Sequence, residues 1–334
     1  MRAQVIHEHG PIEAITFHDD FADPTPGEGE VVLTVGACTL NYHDLFTLKG
    51  MPGIKVPMPI IMGIDVAGTV DAVGQGVTDW SVGDRVVVDP IERKAGKLLG
   101  EMMNGGLAER VVVTADQLLS IPDTMSFTAA AALPCAYGTA YRMMMTRGHV
   151  HPGDKVLVLG ASGGVGTCCV QLAKMAGAHV IAAASSQDKL DRLAELGADE
   201  GINYAEGDFM REVHARFGKP RISGGGGVDV IVNFTGGDTW IPSLRSLTKG
   251  GRLLTCGATA GYDVRSDMRF IWTFEHNILG SNGWSKEDVA QLIKLTNRGD
   301  LNPIVSSTFA LEDTQDAFRA MEERRVFGKV AVIP

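Results

Sequence analysis

The sequence predicts an α/β protein in two domains: a small β-rich domain built from both chain ends, and a doubly wound parallel-sheet domain between them. Three observations lead there. The chain has 334 residues, more than a single hydrophobic core usually supports before it splits. Its first third is dense in short β-rich runs broken by Gly, Pro and Asp, whereas residues 153–280 alternate apolar strand-like runs with helical periodicity. The last strand-like run, residues 329–333, stands alone and needs the first region's sheet to pair with.

Taken in order, residues 31–35, 65–73, 84–89 and 108–113 read as strands of an antiparallel barrel or sandwich. Strands are then expected at 155–159, 179–184, 201–204, 228–234 and 252–256. Helices are expected between them at 164–176, 188–196, 208–217 and 239–247. Alternation of this length is the pattern of a parallel sheet covered on both faces. Two amphipathic helices, at 285–298 and 311–322, precede the closing strand. The expected domains are therefore 1–130 with 283–334, and 131–282. No internal repeat interrupts this order, and the glycine run at 224–227 reads as a loop.

Composition narrows the function. With 45% hydrophobic residues the chain reads as an ordinary soluble globule, and 41 glycines suit many tight strand-to-helix turns. A formal charge of −10 without any basic run opposes nucleic-acid binding, which needs clustered Lys and Arg. No apolar stretch reaches the length of a membrane span, and the N-terminus lacks the apolar segment of a secretory signal. A cytoplasmic location is expected. The five cysteines form no C-x-x-C pair, so reduced thiols are expected.

The chemistry is signalled at residues 160–166, Gly-Ala-Ser-Gly-Gly-Val-Gly, between an expected strand and helix. Here Ala161-x-Gly163-x-x-Gly166 stands for the dinucleotide-binding G-x-G-x-x-G, so the middle domain reads as a Rossmann cofactor domain. Ala161, Ser162, Gly163, Gly164 and Val165 would bring backbone amides to a pyrophosphate; a turn that binds nothing is the plainer alternative. An NAD site normally ends its second strand in an acid that accepts from the ribose hydroxyls. This strand ends in Ala184, followed by Ser185, Ser186 and, one helical turn on, Lys189. Hydroxyl donors and a cation suit a 2′-phosphate, so NADPH is the expected cofactor. Lys189 as a solvated surface lysine is the alternative.

The motifs at 63–70 (Gly-Ile-Asp-Val-Ala-Gly-Thr-Val), 82–86 (Val-Gly-Asp-Arg-Val), 133–141 (Leu-Pro-Cys-Ala-Tyr-Gly-Thr-Ala-Tyr), the 161–166 turn and Phe327-Gly328-Lys329 together resemble the medium-chain dehydrogenase/reductase superfamily. The resemblance spans nearly the whole chain. It implies a GroES-like β-rich substrate domain, a Rossmann domain, and commonly a homodimer, for which residues 252–256 are the expected edge strand. Zinc-dependent members carry a Cys, a His and a later Cys as metal ligands. Here Asn41 stands at the first position and Ile64 at the second, leaving Cys135 with Asp65 as its one conceivable partner. Residues 90–105, where a structural-zinc lobe would lie, contain no cysteine. No metal is expected, since catalytic zinc takes three protein ligands.

The stretch Asn41-Tyr42-His43-Asp44 is similar to quinone oxidoreductases and enoyl reductases. The resemblance places Asn41 and Thr139 at the nicotinamide, Tyr204 beside the 2′-phosphate, and Lys329 among the cofactor-binding residues. Without a Lewis acid, reduction of a conjugated carbonyl or a quinone is easier than that of a plain ketone, because charge spreads into an enolate that a few donors can hold. The expected reaction is hydride transfer from NADPH to such an acceptor. The Asn41 amide or a ribose hydroxyl would hold the enolate oxygen, and Tyr42, His43 or solvent would supply the proton. His43 also reads plainly as a surface histidine, and Asp44 as a structural anchor. Two other readings stay open: a zinc alcohol dehydrogenase with unusual ligands, and a cofactor-binding protein without turnover.

Overall fold

A computed structural model describes residues 1–334. The chain opens with β1 (Ala3–Ile6) and β2 (Ile15–His18), paired antiparallel, and continues through the long β3 (Glu30–Thr39) into a helix α1 (Tyr42–Lys49). That helix, unforeseen from the sequence, starts where the Asp44 side chain accepts from the Asn41 amide at 2.7 Å and the Asp44 amide donates to the Asn41 carbonyl at 3.0 Å. Strands β4 (Ile60–Ile61), β5 (Asp65–Val73), β6 (Arg85–Val88), the short pair β7 (Ile91–Glu92) and β8 (Lys97–Leu98), β9 (Arg110–Thr114) and β10 (Leu118–Ser120) follow. Next come helix α2 (Phe127–Ala131) and a π-helical turn, Leu133–Tyr137.

Past α3 (Gly138–Tyr141), strands and helices alternate: β11 (Lys155–Leu159), α4 (Gly164–Met175), β12 (His179–Ala184), α5 (Gln187–Glu195), β13 (Glu200–Asn203), α6 (Phe209–Phe217) and β14 (Val228–Val232). Then follow α7 (Trp240–Ser246), β15 (Leu247–Thr255), α8 (Met268–Thr273) and β16 (Asn277–Gly280). The six strands form one parallel sheet in the order β13-β12-β11-β14-β15-β16. That is the doubly wound order, reversing between β11 and β14. Near-continuous burial of β11, β12 and β14 is what a sheet covered on both faces requires. Two expectations need correcting here. The strand expected at 252–256 begins five residues earlier, at Leu247, and it is not the edge; β16, too short to read as a strand from sequence, pairs outside it.

The chain closes with α9 (Lys286–Asn297), β17 (Val305–Ala310), α10 (Thr314–Glu322) and β18 (Lys329–Ile333). The closing strand pairs antiparallel with β3, joining the sheet ordered β10-β6-β5-β3-β18-β17. Backbone contacts divide the chain into two units, Met1–Ala136 with Val289–Pro334, and Tyr137–Asp288. These boundaries lie slightly downstream of the expected ones, for a local reason at each. The Ala131 carbonyl accepts from Thr39 Oγ1 and the Cys135 amide donates to Asp65, tying α2 and the π turn to β3 and β5. Asp288 accepts from Thr146 Oγ1, which keeps it with the parallel-sheet unit.

Candidate active site

In the parallel-sheet unit the carboxyl ends of β11, β12 and β13 bring together most of the residues expected at a cofactor. The Ala161 amide donates to the Ala183 carbonyl at 3.0 Å, which ties the glycine turn to β12. Gly163 is the N-cap of α4 and offers no side chain to the helix's first amides. A Cβ on Gly163 would meet only the Gly160 carbonyl, at an ordinary 3.7 Å, so the space before the helix is open. A Cβ on Gly166 would come within 2.4 Å of the Gly160 oxygen. The turn is thus closed by one glycine and kept open before the helix by another, a cradle suited to a pyrophosphate. Ser162, Gly164 and Val165 are half-buried along it.

The second strand ends in buried Ala184, whose carbonyl accepts from the Tyr204 amide at 3.1 Å, so Tyr204 stands beside Ser185. Ser185 is exposed and Lys189 half-buried. The Ser186 hydroxyl caps α5 by accepting from the Lys189 amide at 3.4 Å. No carboxylate ends the strand. Thr139 sits half-buried in α3, next to Tyr137, whose hydroxyl meets the Thr167 hydroxyl of α4 at 3.4 Å.

The β-rich unit holds a second cluster, built around Asp65 at the start of β5. One Asp65 oxygen accepts from Lys329 Nζ (2.9 Å), Asn41 Nδ2 (2.9 Å) and Thr39 Oγ1 (3.4 Å); the other accepts from the Cys135 amide (2.9 Å). Lys329 Nζ also donates to Asn41 Oδ1 at 2.5 Å. Asn41, Asp65 and Lys329 thereby close a triangle, with Asp65 fully buried, Lys329 3% exposed and Asn41 7% exposed. Both ends of the Asn41 amide are engaged within this triangle, as is the Lys329 ammonium.

Around the triangle lie further ionisable groups. Asp44, fully buried, accepts from the Asn41 amide at 2.7 Å through one oxygen, and its other oxygen has no hydrogen-bond partner. Burial pushes its carboxyl up to about 6. The Asn41 amide and Lys329 pull against that shift, Asp65 adds to it, and His43 opposes it. His43 is no plain surface histidine: its Nε2 meets Oε2 of buried Glu101 at 2.5 Å. Burial alone would lower its pKa, but the Glu101 hydrogen bond and charge, with Asp44, outweigh burial and raise it. Glu101 also accepts from Thr47 Oγ1 at 3.3 Å; nothing in its local sequence marks it as a partner. The Tyr42 hydroxyl donates to the Met321 carbonyl at 3.4 Å.

The donor set does not fit a zinc ion. Ile64 is a fully buried hydrocarbon, both Asp65 oxygens are engaged, and no three His, Cys, Asp or Glu side chains cluster as ligands.

Two family models match the chain: an alcohol dehydrogenase GroES-like domain over residues 27–123 and a zinc-binding dehydrogenase domain over residues 164–298. A crotonyl-CoA reductase from Streptomyces avermitilis is 31% identical, covering 94% of this chain and 81% of its own. An acryloyl-coenzyme A reductase from Sulfurisphaera tokodaii is 30% identical over 95% of this chain and 96% of its own. The chain belongs to the medium-chain dehydrogenase/reductase superfamily. Within it, these relatives put the chain in the quinone oxidoreductase and enoyl reductase-like branch. Among solved members of the superfamily, an NAD-dependent alcohol dehydrogenase superposes with a TM-score of 0.92 at 36% identity, covering 100% of both chains. A crotonyl-CoA carboxylase/reductase, AntE, in complex with NADP superposes with a TM-score of 0.86 at 26% identity, covering 100% of this chain and 94% of that one. The chain is accordingly a hydride-transferring oxidoreductase of the superfamily, with the GroES-like and Rossmann domains of its fold.

Proposed function

We propose that this reductase uses NADPH to reduce the C=C bond of an α,β-unsaturated thioester, without a catalytic metal. The carrying observation is the closed Asn41–Asp65–Lys329 triangle, in which Asn41 stands where zinc-dependent members have their first ligand. Lacking a Lewis acid, the site favours acceptors whose developing charge delocalises, and the names of the crotonyl-CoA and acryloyl-CoA relatives point to enoyl thioesters among these. Quinones and simple enones are the neighbouring acceptor classes.

When bound, NADPH would supply a hydride to the acceptor's β-carbon, leaving an enolate to be protonated at its α-carbon. The glycine turn and the α4 amides bind the pyrophosphate. Ser185, Ser186, Lys189 and Tyr204 would hold the 2′-phosphate, and Ala184 leaves room where a carboxylate would repel it. One superposable relative is described as NAD-dependent. The end of β12 in this chain, without an acid, is what favours NADPH. Asn41 acts as a positioning residue, because its amide is spent inside the triangle, and a cofactor ribose hydroxyl is left to steady the enolate oxygen. Solvent delivers the α-proton, since the Tyr42 hydroxyl is donated to Met321 and His43 Nε2 is held by Glu101.

The test is NADPH oxidation with crotonyl-CoA, acryloyl-CoA, a quinone and a cyclic enone, before and after dialysis against a strong chelator. Turnover of an enoyl thioester that survives chelation is the expected result. Turnover of none would favour a cofactor-binding protein without catalysis. Activity lost on chelation and restored by zinc would favour an alcohol dehydrogenase.

A further inference from the structure

The loop after β14 carries a buried polar lock that the cofactor residues above do not include. Asn233 is fully buried, and its own amide continues the ladder by donating to the Leu254 carbonyl at 2.9 Å. Its side-chain oxygen accepts from the Thr235 and Gly236 amides, both at 3.0 Å. Its side-chain nitrogen donates to the Thr239 and Ser243 hydroxyls, both at 3.0 Å. Those hydroxyls in turn donate to the Gly236 and Thr239 carbonyls, at 2.6 and 2.8 Å. The side chain of Asn233 is thus satisfied entirely within the loop and the first turn of α7, which gives the loop one conformation.

That conformation reaches two further segments. Residues 234–237 are clasped to the loop after β15 by three bonds: Thr259 N to Phe234 O (3.2 Å), Ala260 N to Thr235 O (2.8 Å) and Gly237 N to Gly261 O (2.9 Å). Gly236 sits at φ 68°, and a Cβ there would come within 2.4 Å of the Gly261 oxygen, so the two loops touch backbone to backbone. On the other side, the Phe234 ring lies against Gly160, the first residue of the phosphate turn, where a Cβ would meet it at 3.2 Å. Loop and turn therefore face each other at the carboxyl ends of β14 and β11, where the strand order reverses and a dinucleotide lies across the crevice.

We propose that Asn233 is a positioning residue for the nicotinamide half of the cofactor, holding the loops after β14 and β15 as the wall opposite the phosphate turn. The inference rests on the NADPH reading. With the adenosine 2′-phosphate at β12 and β13, the other half of a dinucleotide falls to β14–β16. Removing the lock lets these loops relax while the adenosine side keeps its shape.

The experiment compares binding of NADPH with binding of 2′,5′-ADP, which carries the adenosine half alone, to the full chain. Asn233→Leu is expected to raise the NADPH Kd by at least tenfold, and the milder Ser243→Ala, which removes one partner, by two- to fivefold. Both variants should keep the 2′,5′-ADP Kd within twofold, which also reports that the unit is folded. Unchanged NADPH affinity in either folded variant overturns the inference, as does an equal loss for both ligands. Should Asn233→Leu not fold, Ser243→Ala decides alone. An unaltered protein that binds neither ligand would instead overturn the cofactor reading.

Discussion

At the scale of single residues, the chemistry turns on side chains whose surroundings decide their charge. Ala184 is the clearest case: an aspartate there would end β12 as NAD-binding strands end, beside Ser185 and Tyr204. Ala184→Asp is expected to reverse the cofactor preference, weakening NADPH relative to NADH by at least tenfold, about 1.4 kcal/mol, as measured by Kd for each. Asp44 yields a second prediction, on pH. Its carboxyl rises from 3.8 to about 6 in the folded chain. The folded state thus binds the proton more tightly than the unfolded one, and stability is lost as pH climbs through that window, by at most about 3 kcal/mol. His43 acts in the same direction: its raised pKa gives stability that is present below 6.5 and is lost as pH rises through the folded value. Urea unfolding from pH 4 to pH 8 should show a decline that Asp44→Asn flattens; a variant with the same slope as the parent chain would contradict this. Much of this was out of reach in the sequence. The motif at 41–44 singles out Asn41 and Asp44, but nothing in it signals that Lys329, from the far end of the chain, engages the Asn41 amide. Asn233 had only the following Gly-Gly to signal it.

At the scale of elements, strands and helices with strong periodicity were legible almost to the residue, as with α4, α6 and β5, because each buries a continuous face and carries its own cap or turn. Short elements were not. The four residues of β16 gain their strand geometry from the ladder to β15, and α1 is started by Asp44, a buried carboxyl that accepts from the Asn41 amide. The glycine turn separates two physical roles that sequence alone merges. Gly166→Ala forces a Cβ against the Gly160 backbone and should cost about 1–3 kcal/mol of stability by overpacking. Gly163→Asp has open space and places a carboxylate at the N-cap of α4, so it should leave stability unchanged or raise it by about 0.5–1 kcal/mol. The same carboxylate repels a pyrophosphate, and the NADPH Kd should rise by more than tenfold. If Gly163→Asp melts at the parent temperature and still binds NADPH normally, the turn is not the pyrophosphate site.

At the scale of the whole molecule, the expected homodimer acquires a more definite surface. One of the two edges of the parallel sheet is β16, with Ile278 38% exposed on it, and Trp272 of the preceding helix is 70% exposed. Unpaired edges of this kind invite a partner strand. Light scattering at micromolar concentration is expected to give twice the chain mass, and Ile278→Lys to shift the protein toward monomer; a monomeric parent chain would refute the dimer. No helix is long and apolar enough to cross a membrane. The ion-pair triangle has one further consequence, for synthesis on the ribosome. Lys329 lies 288 residues after Asn41 and 264 after Asp65. Domains usually fold in the order they emerge, yet here residues 137–288 can complete their sheet while the earlier β-rich unit still waits, its central carboxylate without a cation and β3 without β18. The first unit to be made is thus the last to finish, and a nascent chain stalled before position 329 presents an unclosed sheet to whatever chaperone attends the exit tunnel.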